Sequence, residues 1–325
     1  MQIQKGVSMK NANMLELHYY FGDNSHEIDA YLRNRCEAEL LGIILEAAAI
    51  LEIDASLIKE AYREGGFRDF WKALGNNAAQ ITLILLIIQI IISTAPLFDA
   101  ENKELEKEEK RLSIEEKKLN IKKLKLEVEK GEQTNESIAS AATSLGANLI
   151  ILKRKSNFFS FLGEYHKIEK VGFAVLNSDW QPVTDERYVP RSDFGKYILS
   201  TNKLKSEEDD GAVIEIISPV LKEGRYKWKG VYNETPISFE MQDAHFRDSV
   251  LLDNIPFQHG SKIVCVLITH RELDEVGAIK ITGYSVTTVL DKIDDGTPQE
   301  TPQGKKYRYA KKFAESQTNL FDSDK

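Results

Sequence analysis

The segment Ala78–Phe98, AAQITLILLIIQIIISTAPLF, decides how this chain is read. It carries no charged residue. A hydrocarbon core near 30 Å thick takes about 20 helical residues, and this run is long enough to cross it. Its polar members are mild: Gln80, Thr82, Gln89, Ser93 and Thr94. Serine and threonine hydroxyls bond back to their own helix, whereas the amide of Gln89 requires a partner. Pro96 and Asp99 end the run, and Phe70 and Trp71 stand on its N-terminal side, where interfacial aromatics sit. A helix apolar on all sides must be covered by lipid or by a large protein core. Nothing else in the sequence offers that much apolar surface, so the expectation is a single transmembrane helix over 77–98, in the plasma (inner) membrane.

The flanks give a direction. Lys59, Arg63, Arg68 and Lys72 precede the run; Lys103, Lys107, Lys110, Arg111, Lys117 and Lys118 follow it. The excess of positive charge favours a cytoplasmic C-terminal side.

Behind the run, 99–133 is dense in Lys, Glu and Leu and reads as a charged heptad helix. Leu105, Leu112, Leu119 and Leu126 form one series; Ile114, Ile121 and Val128 form a second, two positions on. Coiled-coil a and d positions share one face. These two series lie about 200° apart on a helix, giving two narrow stripes. Such a helix can touch a neighbour on each side, which suits a homo-oligomer of more than two copies, with Gln89 pairing between the helices in the bilayer.

Ahead of the run, 1–76 reads as a small α/β unit. Met14–Phe21 alternates with strand period: Leu15, Leu17, Tyr19 and Phe21 on one side, Glu16, His18 and Tyr20 on the other. Asn24 and Glu27 have the spacing of a capping box, followed by Ile28, Leu32, Cys36, Leu40, Ile43 and Ala47 at helical spacing. Residues 55–63 fit a strand that pairs with the first, or a capped helix. Phe67–Leu74 reads as a short amphipathic helix feeding the span. His18, His26, Glu27 and Asp29 lie close in sequence, but without HExxH spacing they read as polar surface and caps, so no metal is expected.

After a linker helix in 134–165, the texture changes to strands over 166–292. The candidates are Val171–Leu176, Gly211–Val220, Arg225–Tyr232 and Pro236–Met241, then a helix at Asp243–Leu252, then Ser261–Arg271 and Ala278–Leu290. From Gly211 the order is three strands, a helix and two strands, which matches an OB-type barrel; an SH3-like barrel gives a similar pattern. The fold class expected is therefore α+β. In the second strand Arg225, Lys227 and Lys229 alternate with Tyr226 and Trp228. Nucleic-acid grooves put bases-stacking aromatics and cations on one face. The alternation places the aromatics in the core and the basic residues on a solvated partner-binding edge, and argues against nucleic acid.

The tail, 293–325, is rich in Asp, Gly, Pro, Gln and Lys and reads as disordered. It contains Gln317-Thr-Asn-Leu320-Phe321. This resembles the Q-x-x-L-F peptide by which many bacterial proteins bind the replicative sliding clamp. Gln317, Leu320 and Phe321 stand at that motif's fixed positions, and Thr318 departs from its preference for an aliphatic residue. The resemblance covers five residues and implies a clamp-binding tail.

The remaining bounds are broad. The chain has 325 residues, more than one average domain, and a mixed charge of -8, which does not suit a nucleic-acid coat. Cys36 and Cys265 fall in different units, so neither a disulfide framework nor a cysteine metal site is expected. Met1–Lys10 lacks the apolar stretch of a signal peptide. No phosphate loop, strand-linked GxGxxG, GxSxG elbow or paired CxxC is present, so no catalytic residue and no cofactor is assigned. The reading is a non-enzymatic, self-associating single-span membrane protein, in one version a prokaryotic stress or phage-defence effector acting on the lipid bilayer. The alternative is a membrane-tethered binding module for nucleic acid or the sliding clamp. A hydrolase built on His18 and His26 is a third.

Overall fold

The strand alternation of Met14–Phe21 (β1) is realised, and β1 lies at the centre of a five-stranded sheet. A computed structural model describes residues 11–23, 27–60, 67–96, 134–252 and 255–322, with side chains up to 314. Two compact units are defined: Met1–Asn202 with Leu273–Ala278, and Lys203–Glu272 with Ile279–Lys325.

In the first unit the sheet runs β2 (Ser56–Lys59), β3 (Phe67–Leu74), β1, β4 (Ile168–Leu176), β5 (Arg187–Pro190). All neighbours are antiparallel. Leu15, Leu17 and Tyr19 turn to one face and join a core with α1 (Ala30–Leu51), α2 (Ala78–Ser93), α3 (Asn135–Gly146) and α4 (Leu149–Glu164). The other face carries Met14, Phe70, Ala174 and Leu176 as a smaller apolar cluster. The sheet thus draws β4 and β5 from beyond residue 166, where the sequence pattern had placed the start of a separate β-rich domain.

The expected transmembrane helix is the principal correction. α2 has 16 residues, about 24 Å of helix, and ends at Ser93. Among the described residues no helix is long and apolar enough to cross a membrane. Its apolar circumference is covered by protein: Ile81, Leu83–Ile88, Ile91 and Ile92 are all buried, against α1, α3, β1, β4 and β5. The cover comes from elements far along the chain, which a local hydropathy reading does not see. Asn77 caps its first turn, accepting hydrogen bonds from the amides of Ala79 and Gln80. Thr82 returns a bond to the Ala78 carbonyl and also meets the backbone of Ala12. Gln89 bonds to Phe173, Thr184 and Asp185 of its own chain.

Further differences are local. The α1 cap is Asp29, whose carboxylate accepts from the Leu32 amide, and Asn24 lies outside the described residues. Phe67–Leu74 is a strand, not an amphipathic helix: it gains hydrogen-bonding partners on both sides, and the pairing overrides the local pattern. β2 pairs with β3, not with β1. The linker region forms two helices, α3 and α4, joined at Asn148, which caps the second. The heptad residues Leu105, Leu112, Ile114, Leu119, Ile121, Leu126 and Val128 lie outside the described residues.

The second unit is a five-stranded barrel compatible with the expected OB- or SH3-like class. β6 (Lys203–Ser218), β7 (Trp228–Tyr232) and β8 (Thr235–Met241) are followed by α5 (Ala244–Leu252), then β9 (Lys262–Leu273) and β10 (Ile279–Asp294). The order is β10–β8–β7–β6–β9, and a β9–β10 pairing closes it. β8 and β10 are parallel. Its core holds Ile214, Trp228, Phe239, Ile263, Cys265 and Val286, with Phe246 of α5 against the Trp228 ring.

The tail is not disordered over its length. β11 (Thr297–Glu300) pairs with β10, and Pro302–Asp322 forms a helix, α6. Thr301 caps it, accepting from the Gly304 amide at 2.9 Å. Gly304 permits close approach, because a Cβ there would lie 2.2 Å from the Leu290 carbonyl oxygen. Arg308 ties the helix back to Asp291 and Glu300.

Ile88 is 0 % exposed in the middle of α2. Replacing Ile88 with Ala is expected to cost about 2–5 kcal/mol in urea denaturation of the detergent-free chain, as for other buried large-to-small changes. An unchanged midpoint would contradict the packing.

Candidate ligand pocket

The face of the sheet opposite the helices gathers the polar side of β1. Period-two alternation puts Glu16, His18 and Tyr20 there together. Register supplies their neighbours: His18 stands between Arg68 of β3 and Gly172 of β4, and Gly172 is in turn opposite Tyr188 of β5.

Gly172 makes the arrangement possible. A Cβ at that position would lie 1.8 Å from Glu186 Oε1. With hydrogen in its place, the Glu186 side chain crosses over β4 and reaches β1. There it accepts hydrogen bonds from Tyr20 Oη (3.0 and 3.1 Å) and Tyr188 Oη (2.8 Å). His18 Nδ1 is 3.5 Å from Glu186 Oε1, and the His18 ring lies against Tyr20, tilted by 37° with centroids 3.7 Å apart. Lys170 Nζ lies over the Tyr20 and Tyr188 rings at 4.3 and 4.5 Å.

Gln89 holds the segment that carries Glu186. Its Nε2 donates to the carbonyls of Phe173 (2.8 Å) and Asp185 (3.0 Å), and its Oε1 accepts from Thr184 Oγ1 (2.9 Å). The polar residue of the apolar helix is therefore the clamp beneath the pocket.

The cavity on this face has a volume of about 390 Å³ and is lined by Glu16, Arg68, Phe70, Ala174, Leu176, Trp180, Pro182, Thr184, Asp185 and Glu186. That lies within the usual range for small-molecule sites. One wall is apolar, with Trp180 edge-on to Phe70 at 5.0 Å. Trp180 is placed by a tight loop in which Asn177 Oδ1 accepts from the amides of Asp179 (3.0 Å) and Gln181 (2.9 Å). Its φ of 62° is unusual for a bulky residue, and such strain collects at functional positions.

Beside the apolar wall the lining is charged, through Glu16, Arg68, Asp185 and Glu186. Glu16 is 5 % exposed and His18 7 %. Arg68 Nη1 is 2.8 Å from Glu16 Oε1. Glu16 Oε1 has that guanidinium as its ion-pair partner and no further hydrogen-bond donor, and Arg68 Nε has no hydrogen-bond partner; His18 Nδ1 and Asn13 Oδ1, outside the cavity lining, have none either. Buried polar atoms left without partners are costly. Burial raises the Glu16 carboxyl above its usual range despite Arg68. Burial also works against ionisation of Glu186, but His18, Tyr188 and Tyr20 outweigh it and hold that carboxyl below its usual range.

The other sequence candidates fall elsewhere. His26 lies outside the described residues, the Glu27 carbonyl accepts from Tyr165 Oη, and Asp29 is a helix cap. In the barrel unit Arg225, Lys227 and Lys229 are exposed and Trp228 is buried, as expected. Tyr226 is not: it is 55 % exposed, because β7 begins only at Trp228 and the preceding residues escape the strand alternation. Lys227 borders a second pocket, of about 320 Å³, that contains a hydrogen-bonded row, Ser206 Oγ to His270 Nδ1 (3.1 Å) and His270 Nε2 to Ser285 Oγ (2.8 Å). Gln317, Leu320 and Phe321 lie within helix α6 instead of an extended tail. Among the described residues no cluster of His, Cys, Asp and Glu can hold a metal ion. The sequence reading missed Glu16, Arg68, Gly172, Trp180 and Glu186 as a group. The alternation of β1 had already set Glu16, His18 and Tyr20 on one face; their partners come from as far as 166 residues away.

No protein-family model, curated protein or solved structure matches this chain.

The two carboxylates have opposite linkage to folding. Folding raises the Glu16 pKa above 4.5, so ionised Glu16 opposes folding at neutral pH, and that penalty fades as pH falls through the raised value. Folding lowers the Glu186 pKa below 4.5, so its contribution is present above 4.5 and lost as pH falls through the depressed value. The variant Glu16→Gln is expected to be more stable than the parent at pH 7, with the advantage shrinking toward pH 4. Glu186→Gln is expected to be less stable at pH 7. Urea denaturation at both pH values checks the signs, and the same sign for both variants at pH 7 would refute the assignment.

Proposed function

We propose that this chain is a binding protein whose first unit takes a small molecule in the sheet-face pocket. The observation that carries the reading is a cavity with an aromatic wall beside the buried Glu16–Arg68 pair, in which Glu16 Oε1 has no donor beyond Arg68 and Arg68 Nε has no hydrogen-bond partner. The apolar wall supplies burial, and the polar wall supplies orientation. A binding role is favoured over a hydrolytic one because Glu186, the carboxylate beside His18, is already engaged by two tyrosine hydroxyls. The simplest probe of the wall is indole, which is small enough for the cavity of about 390 Å³ and carries no charge. Indole is expected to bind the full chain in calorimetry and to lose that binding in Trp180→Ala. A titration without heat at millimolar indole would count against the pocket.

A second reading concerns the barrel, which we propose is of the OB type. Three strands, a helix and two strands close in the order β6–β7–β8–β10–β9, with β8 and β10 parallel. The exposure of Tyr226 between Arg225 and Lys227 puts an aromatic and two cations together in solvent, a combination that suits single-stranded nucleic acid. A fluorescent thymidine oligonucleotide is expected to raise anisotropy at low salt, with binding reduced by Tyr226→Ala and by added salt. Binding that is absent at low salt, or indifferent to Tyr226, would remove this reading.

A further inference from the structure

We propose that the sheet-face pocket selects an organic cation with a flat apolar body, of the arylalkylamine kind, with its ammonium donating to Glu16 and Asp185 and its ring against Trp180 and Phe70. The inference rests on the ligand-binding reading above and names the class of ligand.

Three observations carry it. The first is charge. Glu16, Asp185 and Glu186 line the cavity against one guanidinium, Arg68, so the cavity holds more negative than positive groups. The second is hydrogen-bonding sense. Glu16 Oε1 can only accept when ionised, and apart from the Arg68 guanidinium at 2.8 Å it has no donor although it is buried. An ammonium brings three donors and no acceptor, so it satisfies such an atom without creating a new orphan. The third is shape. Trp180 and Phe70 meet edge-to-face on the wall beside these acids, and aromatic surfaces next to carboxylates form the recurring receptor for organic cations. Trp180 is fixed there at a positive φ by the Asn177 turn, so the wall is built before a ligand arrives. The rise in the Glu16 pKa agrees with a carboxylate that still lacks sufficient positive compensation.

The test uses the full chain and three probes sharing one ring: tryptamine, indole and indole-3-propionate. Calorimetry at pH 7 and low salt is expected to rank tryptamine at least about tenfold tighter than indole, with indole-3-propionate weaker than indole, as expected for a charge-assisted contact. In Glu16→Gln the preference for tryptamine over indole should collapse to about twofold or less; Asp185→Asn is the second variant should the first fail to fold. Indole-3-propionate binding as tightly as tryptamine would overturn the cation assignment while leaving a ligand pocket. Equal binding of tryptamine and indole would do the same. Failure of all three probes to bind would remove the pocket reading and the cation assignment together.

Discussion

Gln89 is the polar point on which the first unit turns. It sits in the C-terminal half of a helix whose other polar members, Gln80, Thr82 and Ser93, lie nearer its ends, and its amide must be satisfied wherever that helix is buried. Its three hydrogen bonds go to Phe173, Thr184 and Asp185. One amide group thus joins the buried helix to β4 and to the segment leading into β5. That segment supplies Asp185 and Glu186 to the opposite face of the sheet. The core helix and the pocket are therefore two sides of one construction: the helix buries its apolar surface under the sheet, and its single strong polar group fixes what lies above it.

A second constraint acts at Gly172. The strand pairing sets it directly beside His18, and its lack of a side chain opens the lane through which Glu186 reaches Tyr20. The result is a sheet face in which one carboxylate, Glu186, is well satisfied and another, Glu16, is not.

The elements that rest on local periodicity were legible in the sequence. β1, α1 and the barrel's sequence of three strands, a helix and two strands all follow from spacing within short windows. The composition of α2 was legible too, as a helix with one demanding polar residue. What surrounds it was not. Lipid and protein interior impose the same apolar pattern on a helix, and the cover here comes from α1 and β1 upstream and from α3, β4 and β5 well downstream. β3 failed for a related reason: Phe67–Leu74 holds aromatic and charged residues that fit either period, and pairing on both sides decided the outcome. The tail was misjudged from its turn-rich beginning, although the lysine- and alanine-rich stretch behind it is good helix sequence. Of the pocket, only the β1 contribution was visible in advance. Gly172 and Glu186 acquire meaning only once strand register brings them beside His18.

α2 is an interior helix of the first unit, and both the core and the pocket depend on that placement. Hydrogen exchange read by mass spectrometry on the full chain, purified without detergent, tests this most directly. Amides of Ile81–Ile92 are expected to be among the slowest to exchange and to open only with global unfolding, because they lie at the centre of the largest core. Exchange of those amides within seconds in the absence of detergent, with protection appearing only on addition of lipid vesicles, would contradict it.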